Sequence, residues 1–182
     1  DYYRGQNKYV EESRPSLYRK GMTEADVFYE RLKYAELKLL IQTYPMAQIY
    51  ENGFSINFPD ETSSPCFFEI DYLALAQHYG IKTELLDLTV DKFVAAFFAC
   101  TDYHPETDSY TCKTENEGEG VFYHYVDTSF GFDMSNLRSV GLQPFSRPGE
   151  QGGFVLEMKP GENFNAMCVE AIHFEHNADI AK

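Results

Sequence analysis

The sequence predicts an α+β fold in a single domain, with small, bent antiparallel or mixed sheets and helices mainly in the N-terminal half. Three observations carry that expectation. Apolar residues recur at helical spacing mainly in the first hundred of the 182 residues, while β-branched and aromatic runs bounded by Gly, Pro and Asn come mainly after residue 120. Apolar content of 43% with 16% aromatics is enough for one core. No internal repeat or low-complexity linker divides the chain, so residues 1–182 are read as one unit.

Tyr2 to Gly5 reads as a short extended segment, and Arg14 to Arg19 as an irregular loop, because the residue before Pro15 avoids the helical region. Thr23 is a helix cap with Asp26 three residues on. Val27, Phe28, Leu32, Ala35, Leu39 and Leu40 then follow helical spacing until Pro45 ends the run. Asn52 to Pro65 is a turn-rich excursion. Glu69 to Tyr79 carries Ile70, Leu73, Ala74 and Gln77 on one helical face, with Gly80 as the stop. Glu84 to Leu88 suits a buried strand and Val90 to Cys100 an enclosed helix, which places the Thr89 hydroxyl at a helix N-terminus. Asp102 to Gly120 has no apolar period and reads as a mobile surface loop. Val121–Val126, Gly153–Met158 and Cys168–Phe174 read as strands.

Fifteen Lys and Arg against 29 Asp and Glu give a net charge of −14, which repels nucleic-acid backbones and anionic membranes alike. Bulk nucleic-acid binding is therefore excluded. Arg4, Arg14, Arg19 and Lys20 are the exception, because they lie close in sequence and could line a local basic pocket for a small anion. The longest apolar run, Phe93 to Cys100, falls well short of the roughly 18 residues of a membrane span. Cys66, Cys100, Cys112 and Cys168 show no C-x-x-C spacing and read as free thiols in a reducing cytoplasm. A chain that begins at Asp1 and ends in an open run from His176 to Lys182 is expected to be part of a longer protein.

Chemistry concentrates between Gln77 and Thr89. Gly80 lets the chain reverse, so Thr83, Asp87 and Thr89 can face Gln77 and His78. Such a set is either a hydrogen-bond network holding helix to strand or the wall of a ligand pocket. Two further segments could supply the other walls. Tyr3-Arg4-Gly5-Gln6 puts a guanidinium on an extended segment with a glycine behind it, suited to phosphate or carboxylate. Arg147-Pro148-Gly149-Glu150-Gln151-Gly152-Gly153-Phe154 is a glycine-rich loop feeding a strand. No metal-ligand spacing, P-loop, G-x-S-x-G elbow or G-x-G-x-x-G is present, so no metal site is expected.

These segments together resemble the FRG domain, a mostly bacterial module named for an N-terminal Phe/Tyr-Arg-Gly motif. Tyr3-Arg4-Gly5 matches that motif, Pro15-Ser16-Leu17 with Arg19 matches its next element, and Gln77-His78-Tyr79-Gly80 through Thr83, Leu85-Leu86-Asp87 and Thr89 matches its signature, followed by the Ala and Phe rich helix at Ala95–Ala99. Arg147, Gln151, Gly152 and Phe154 match the closing element. Glu84 stands where the family often has Arg, and Leu88 where it often has Trp.

The order of these residues also resembles ADP-ribosyltransferases. There an Arg lies on an early strand, as Arg4 does here, a Ser/Thr strand precedes an Ala-rich helix, as at Thr89, and a Glu or Gln lies before a late strand, as at Glu150 and Gln151. That likeness implies a nucleotide ligand, with NAD as substrate and no assured cofactor. Arg4 would clamp a phosphate or the nicotinamide-side ribose, His78 and Thr89 would orient ribose and nicotinamide, and Glu150 or Gln151 would face the developing oxocarbenium charge, with Asp87 as an alternative carboxylate. Tyr3, Gly5, Arg19, Gln77, Thr83, Asp87, Arg147 and Gly152 would complete the contacts. The alternative is a non-catalytic ligand-sensing or interaction module coupled to an effector elsewhere in the protein; a nuclease using His78 ranks last because of the acidic surface.

Overall fold

The computed structural model describes residues 1–60, 62–114, 118–127, 136–140 and 153–176. Arg147, Glu150, Gln151, Gly152 and the tail after His176 lie outside the described residues.

Six strands form the main sheet: β1 (Tyr2–Gln6), β4 (Leu85–Thr89), β7 (Glu119–Tyr125), β8 (Leu137–Ser139), β9 (Gly153–Glu157) and β10 (Glu170–Glu175). Their order is β10-β7-β1-β4-β9-β8, and every neighbouring pair is antiparallel. β1 pairs with β7 from Tyr2 opposite Tyr125 to Gln6 opposite Val121, and β4 pairs with β9 from Leu85 opposite Glu157 to Thr89 opposite Gly153. Between β1 and β4 the ladder is a single pair, Tyr3 with Thr89. The sheet is thus two well-knit halves joined at one point.

Helix α1 (Glu24–Gln42) starts with a reciprocal cap: Thr23 Oγ1 accepts from the Asp26 backbone N–H at 3.2 Å, and Asp26 Oδ2 accepts from that of Thr23 at 2.9 Å. Pro45 does more than end this run. It opens α2 (Pro45–Asn52), where a first-turn proline loses no helical hydrogen bond. Ile41, Ala47, Ile70, Tyr72 and Leu75 pack α1, α2 and α3 (Tyr72–His78) together. Ala74 of α3 meets Leu85 and Val155, which docks this helical layer on the sheet.

Helix α4 (Lys92–Cys100) lies on the face of β1 that carries Gly5. A Cβ at Gly5 would stand 1.8 Å from the Ala95 carbonyl oxygen and 2.6 Å from the Ala99 nitrogen, so only glycine admits the helix at this distance. Ala95 and Ala99, one turn apart, are the small residues that make the approach mutual. On the opposite face, Leu86, Leu88, Val121, Tyr123, Leu156, Met158 and Phe164 form the largest core cluster.

Two sequence expectations are corrected. Asp102 to Gly120 is not simply a surface loop, because Thr101–His104 (β5) and Ser109–Cys112 (β6) pair as a hairpin. The 52–65 excursion likewise contains a hairpin, β2 (Phe54–Asn57) with β3 (Ser63–Cys66). Thr89 ends β4, and its hydroxyl lies at the N-terminus of α4, as the sequence suggests. Asp91 is the cap, its carboxylate accepting from the Phe93 N–H at 2.8 Å, while Thr89 Oγ1 accepts from the Asp91 N–H at 3.0 Å. The short β8 was not anticipated.

Candidate functional site

Helix α3 ends by letting the Ile81 N–H reach the Ala76 carbonyl at 3.1 Å and the Gly80 N–H reach that of Gln77 at 3.0 Å, with Gly80 at φ +81. The reversal brings Thr83 and β4 back beside Gln77. Gln77 Nε2 donates to Asp87 Oδ1 at 2.7 Å, and its Oε1 accepts from the Thr83 hydroxyl. Thr83 is fully buried; its Oγ1 also accepts from the Leu85 N–H at 3.2 Å, and its backbone N–H donates to Ser16 Oγ at 3.1 Å. The Leu17 N–H closes the joint on the Thr83 carbonyl at 3.1 Å. These bonds tie the Pro15-Ser16-Leu17 turn, α3 and β4 into one wall, in which Ser16, Gln77, Thr83 and Asp87 all find partners.

On the far side of Asp87 the situation differs. Past the single Tyr3–Thr89 pair, β1 and β4 part, and a cleft of about 810 Å³ opens beside them. Arg4 Nη1 reaches across to the Asp87 carbonyl at 2.7 Å, while Arg4 Nε is buried with no hydrogen-bond partner among the described residues. Burial lowers the Arg4 pKa, the Asp87 carboxylate opposes that shift, and nearby Arg19 adds to it. A guanidinium stays charged even so, and a desolvated one favours an anion.

The rim carries more positive charge. Arg14 Nη2 pairs with Glu12 at 2.8 Å, yet Arg14 Nε is also buried without a partner among the described residues. Arg19 Nε donates to the Arg14 carbonyl at 3.4 Å. With Lys8 and Lys20, five cations among the described residues line the cleft against two described carboxylates, Glu12 and Asp87, in a chain whose net charge is −14. The local field is therefore opposite in sign to that of the whole surface.

Five aromatic side chains also contribute to the lining: Tyr3, Phe98, Tyr103, Tyr110 and Phe154. Tyr103 and Tyr110 face each other across the β5–β6 hairpin with ring centroids 5.0 Å apart. Asn7 Nδ2 fastens that hairpin to the end of β1 by donating to the Thr101 carbonyl at 2.7 Å and to Asp102 Oδ1 at 2.6 Å.

Of the residues singled out from the sequence, Tyr3, Arg4, Gly5, Arg19, His78, Asp87 and Thr89 line this cleft. His78 is exposed at the C-terminus of α3, and Gln77, not His78, binds Asp87. Thr89 is 6% exposed. Gln77 and Thr83 are not among the lining residues and act as the support behind Asp87. Arg147, Glu150, Gln151 and Gly152 fall outside the described residues, and the first described residues after them, Gly153 and Phe154, line the cleft. Sequence reasoning missed Lys8 and the hairpin tyrosines. A cysteine nucleophile finds no support at Cys168, whose thiol burial pushes up to about 12 and which donates to the Phe164 carbonyl.

A family model for the FRG domain matches residues 1–108, more than half of the chain. The chain belongs to the FRG domain family. The matched part of the chain contains β1, the Ser16 turn, α1 to α4, β4 and β5, and every described lining residue of the cleft except Tyr110, Val140, Gly153 and Phe154. No curated protein and no solved structure matches the chain. Among the described residues, no helix of this FRG domain is long and apolar enough to cross a membrane.

Proposed function

We propose that this FRG domain binds a nucleotide such as NAD in the cleft between β1 and β4 and transfers or hydrolyses its ADP-ribose. The observation that carries the reading is Arg4, a charged, half-buried guanidinium whose Nε is buried with no partner among the described residues. Arg4 would hold the diphosphate. The aromatic side chains offer flat apolar surface to nicotinamide or adenine. A volume of about 810 Å³ falls within the range of about 300–1,000 Å³ common for small-molecule sites.

In the reaction, the bond between the ribose C1′ and the nicotinamide nitrogen breaks and its electron pair leaves with nicotinamide. Water or an acceptor hydroxyl then attacks C1′ and gives up a proton. His78 and Thr89 would contact the ribose. Asp87, fixed through Gln77, is a lining carboxylate whose charge acts on Arg4, and Glu150 or Gln151 would take the electrostatic role their sequence position suggests.

One observation favours a second reading, a sensor that binds without turnover. Both carboxylates of the described cleft are already engaged, Glu12 by Arg14 and Asp87 by Gln77. Calorimetric titration with NAD, followed by assay of released nicotinamide, separates the readings. Heat with nicotinamide release supports transfer or hydrolysis, and heat without release supports the sensor. No heat at millimolar NAD together with no release would sink both.

A further inference from the structure

The cleft holds more positive charge than an internal diphosphate needs, and it holds that charge in two places. Arg4 is one. The second is the segment that follows β1, where Arg14, Arg19 and Lys20 all line the same cleft. Arg14 is oriented there rather than loose: Glu12 holds Nη2 at 2.8 Å, its backbone carbonyl receives Arg19 Nε at 3.4 Å, and its own Nε is buried with no partner among the described residues. Leaving a buried donor of a charged group unmade is costly, so a guanidinium fixed by one edge and unpartnered at another is arranged to accept an anion. Lys20 is exposed beside it and makes no ion pair among the described residues.

Charge balance points the same way. Among the described residues, five lining cations stand against two carboxylates, a surplus of three positive charges. An internal diphosphate supplies two negative charges, whereas a phosphomonoester adds about −1.5 to −2 at neutral pH. We infer that the ligand of this cleft carries a terminal phosphomonoester besides its internal diphosphate, as a 2′-phosphorylated dinucleotide does, and that the monoester sits at Arg14, Arg19 and Lys20. The inference rests on the nucleotide reading above and names its ligand class.

NADP and NAD differ in this one group, which makes them the test. The purified domain is titrated with each by calorimetry at two salt concentrations, alongside an Arg14→Gln, Lys20→Ala double variant. NADP should bind at least tenfold more tightly than NAD and lose affinity more steeply as salt rises, because more phosphate charge is neutralised. In the double variant the ratio of the two affinities should fall to within about twofold, with thermal unfolding confirming that the variant is folded. Equal affinities in the wild type overturn the inference while leaving nucleotide binding intact, as does a preference for NADP that survives the double substitution. Failure of both dinucleotides to bind overturns it together with the reading on which it rests.

Discussion

Two polar regions meet at Asp87, and they are finished to different degrees. On one side, Gln77, Thr83 and Ser16 satisfy one another and the backbone around them, so that side is a joint. On the other, Arg4 and Arg14 keep buried donors that no described group meets, so that side is a cleft. The difference teaches that a dense polar motif is not itself a site. What separates support from site is whether the hydrogen bonds close internally.

The contrast can be broken most severely at Gly5, where a Cβ would collide with α4 backbone behind both regions. Gly5→Ala should cost about 3 kcal/mol or more and abolish binding with it, read as a fall in the denaturant midpoint. Thr83→Val should separate the regions. It leaves Gln77 Oε1 and the Leu85 N–H short of a partner, an expected loss of about 1–3 kcal/mol in stability by denaturant titration, with NAD affinity changing less than stability does. Arg4→Gln should do the reverse, reducing NAD affinity by about 10–100-fold for the loss of a charge-assisted contact while the unfolding midpoint barely moves.

The smallest effect should come from Glu30, another closed group of the joint. Its carboxylate accepts from Lys33 Nζ at 2.9 Å and from the Lys82 N–H at 3.0 Å, next to Thr83. The Lys33 bond holds its pKa below the usual carboxylate range, against the effect of burial. A depressed folded-state pKa contributes stability above the unfolded value and loses it as pH falls through the folded one. Glu30→Gln should therefore be less stable than wild type at neutral pH, and the difference should shrink below pH about 4 in thermal melts.

Much of the fold was legible because helices α1, α3 and α4 announce themselves by apolar spacing, the Thr23–Asp26 cap and Gly80. The hairpins were not, since β2 and β6 are exposed along their whole lengths and so carry no alternation of buried and exposed residues. Tyr3-Arg4-Gly5, singled out from the sequence, does line the cleft, but the division of labour in the Gln77–Thr89 segment could not be read from it. Nothing in residue spacing tells that Gln77 faces inward to Thr83 while Asp87 borders the cleft; the Schellman turn at Gly80 decides it. Lys8, Tyr103 and Tyr110 reach the cleft only through tertiary pairing.

The claim that Arg4 is an anion anchor and Gln77 a support is tested most directly by a crystal structure of this FRG domain grown with saturating NAD. Phosphate oxygens within hydrogen-bond distance of Arg4 Nε, with the Gln77–Thr83–Asp87 bonds unchanged, are the expected result. NAD seated away from Arg4, or a ligand that displaces Gln77 from Asp87, would contradict it.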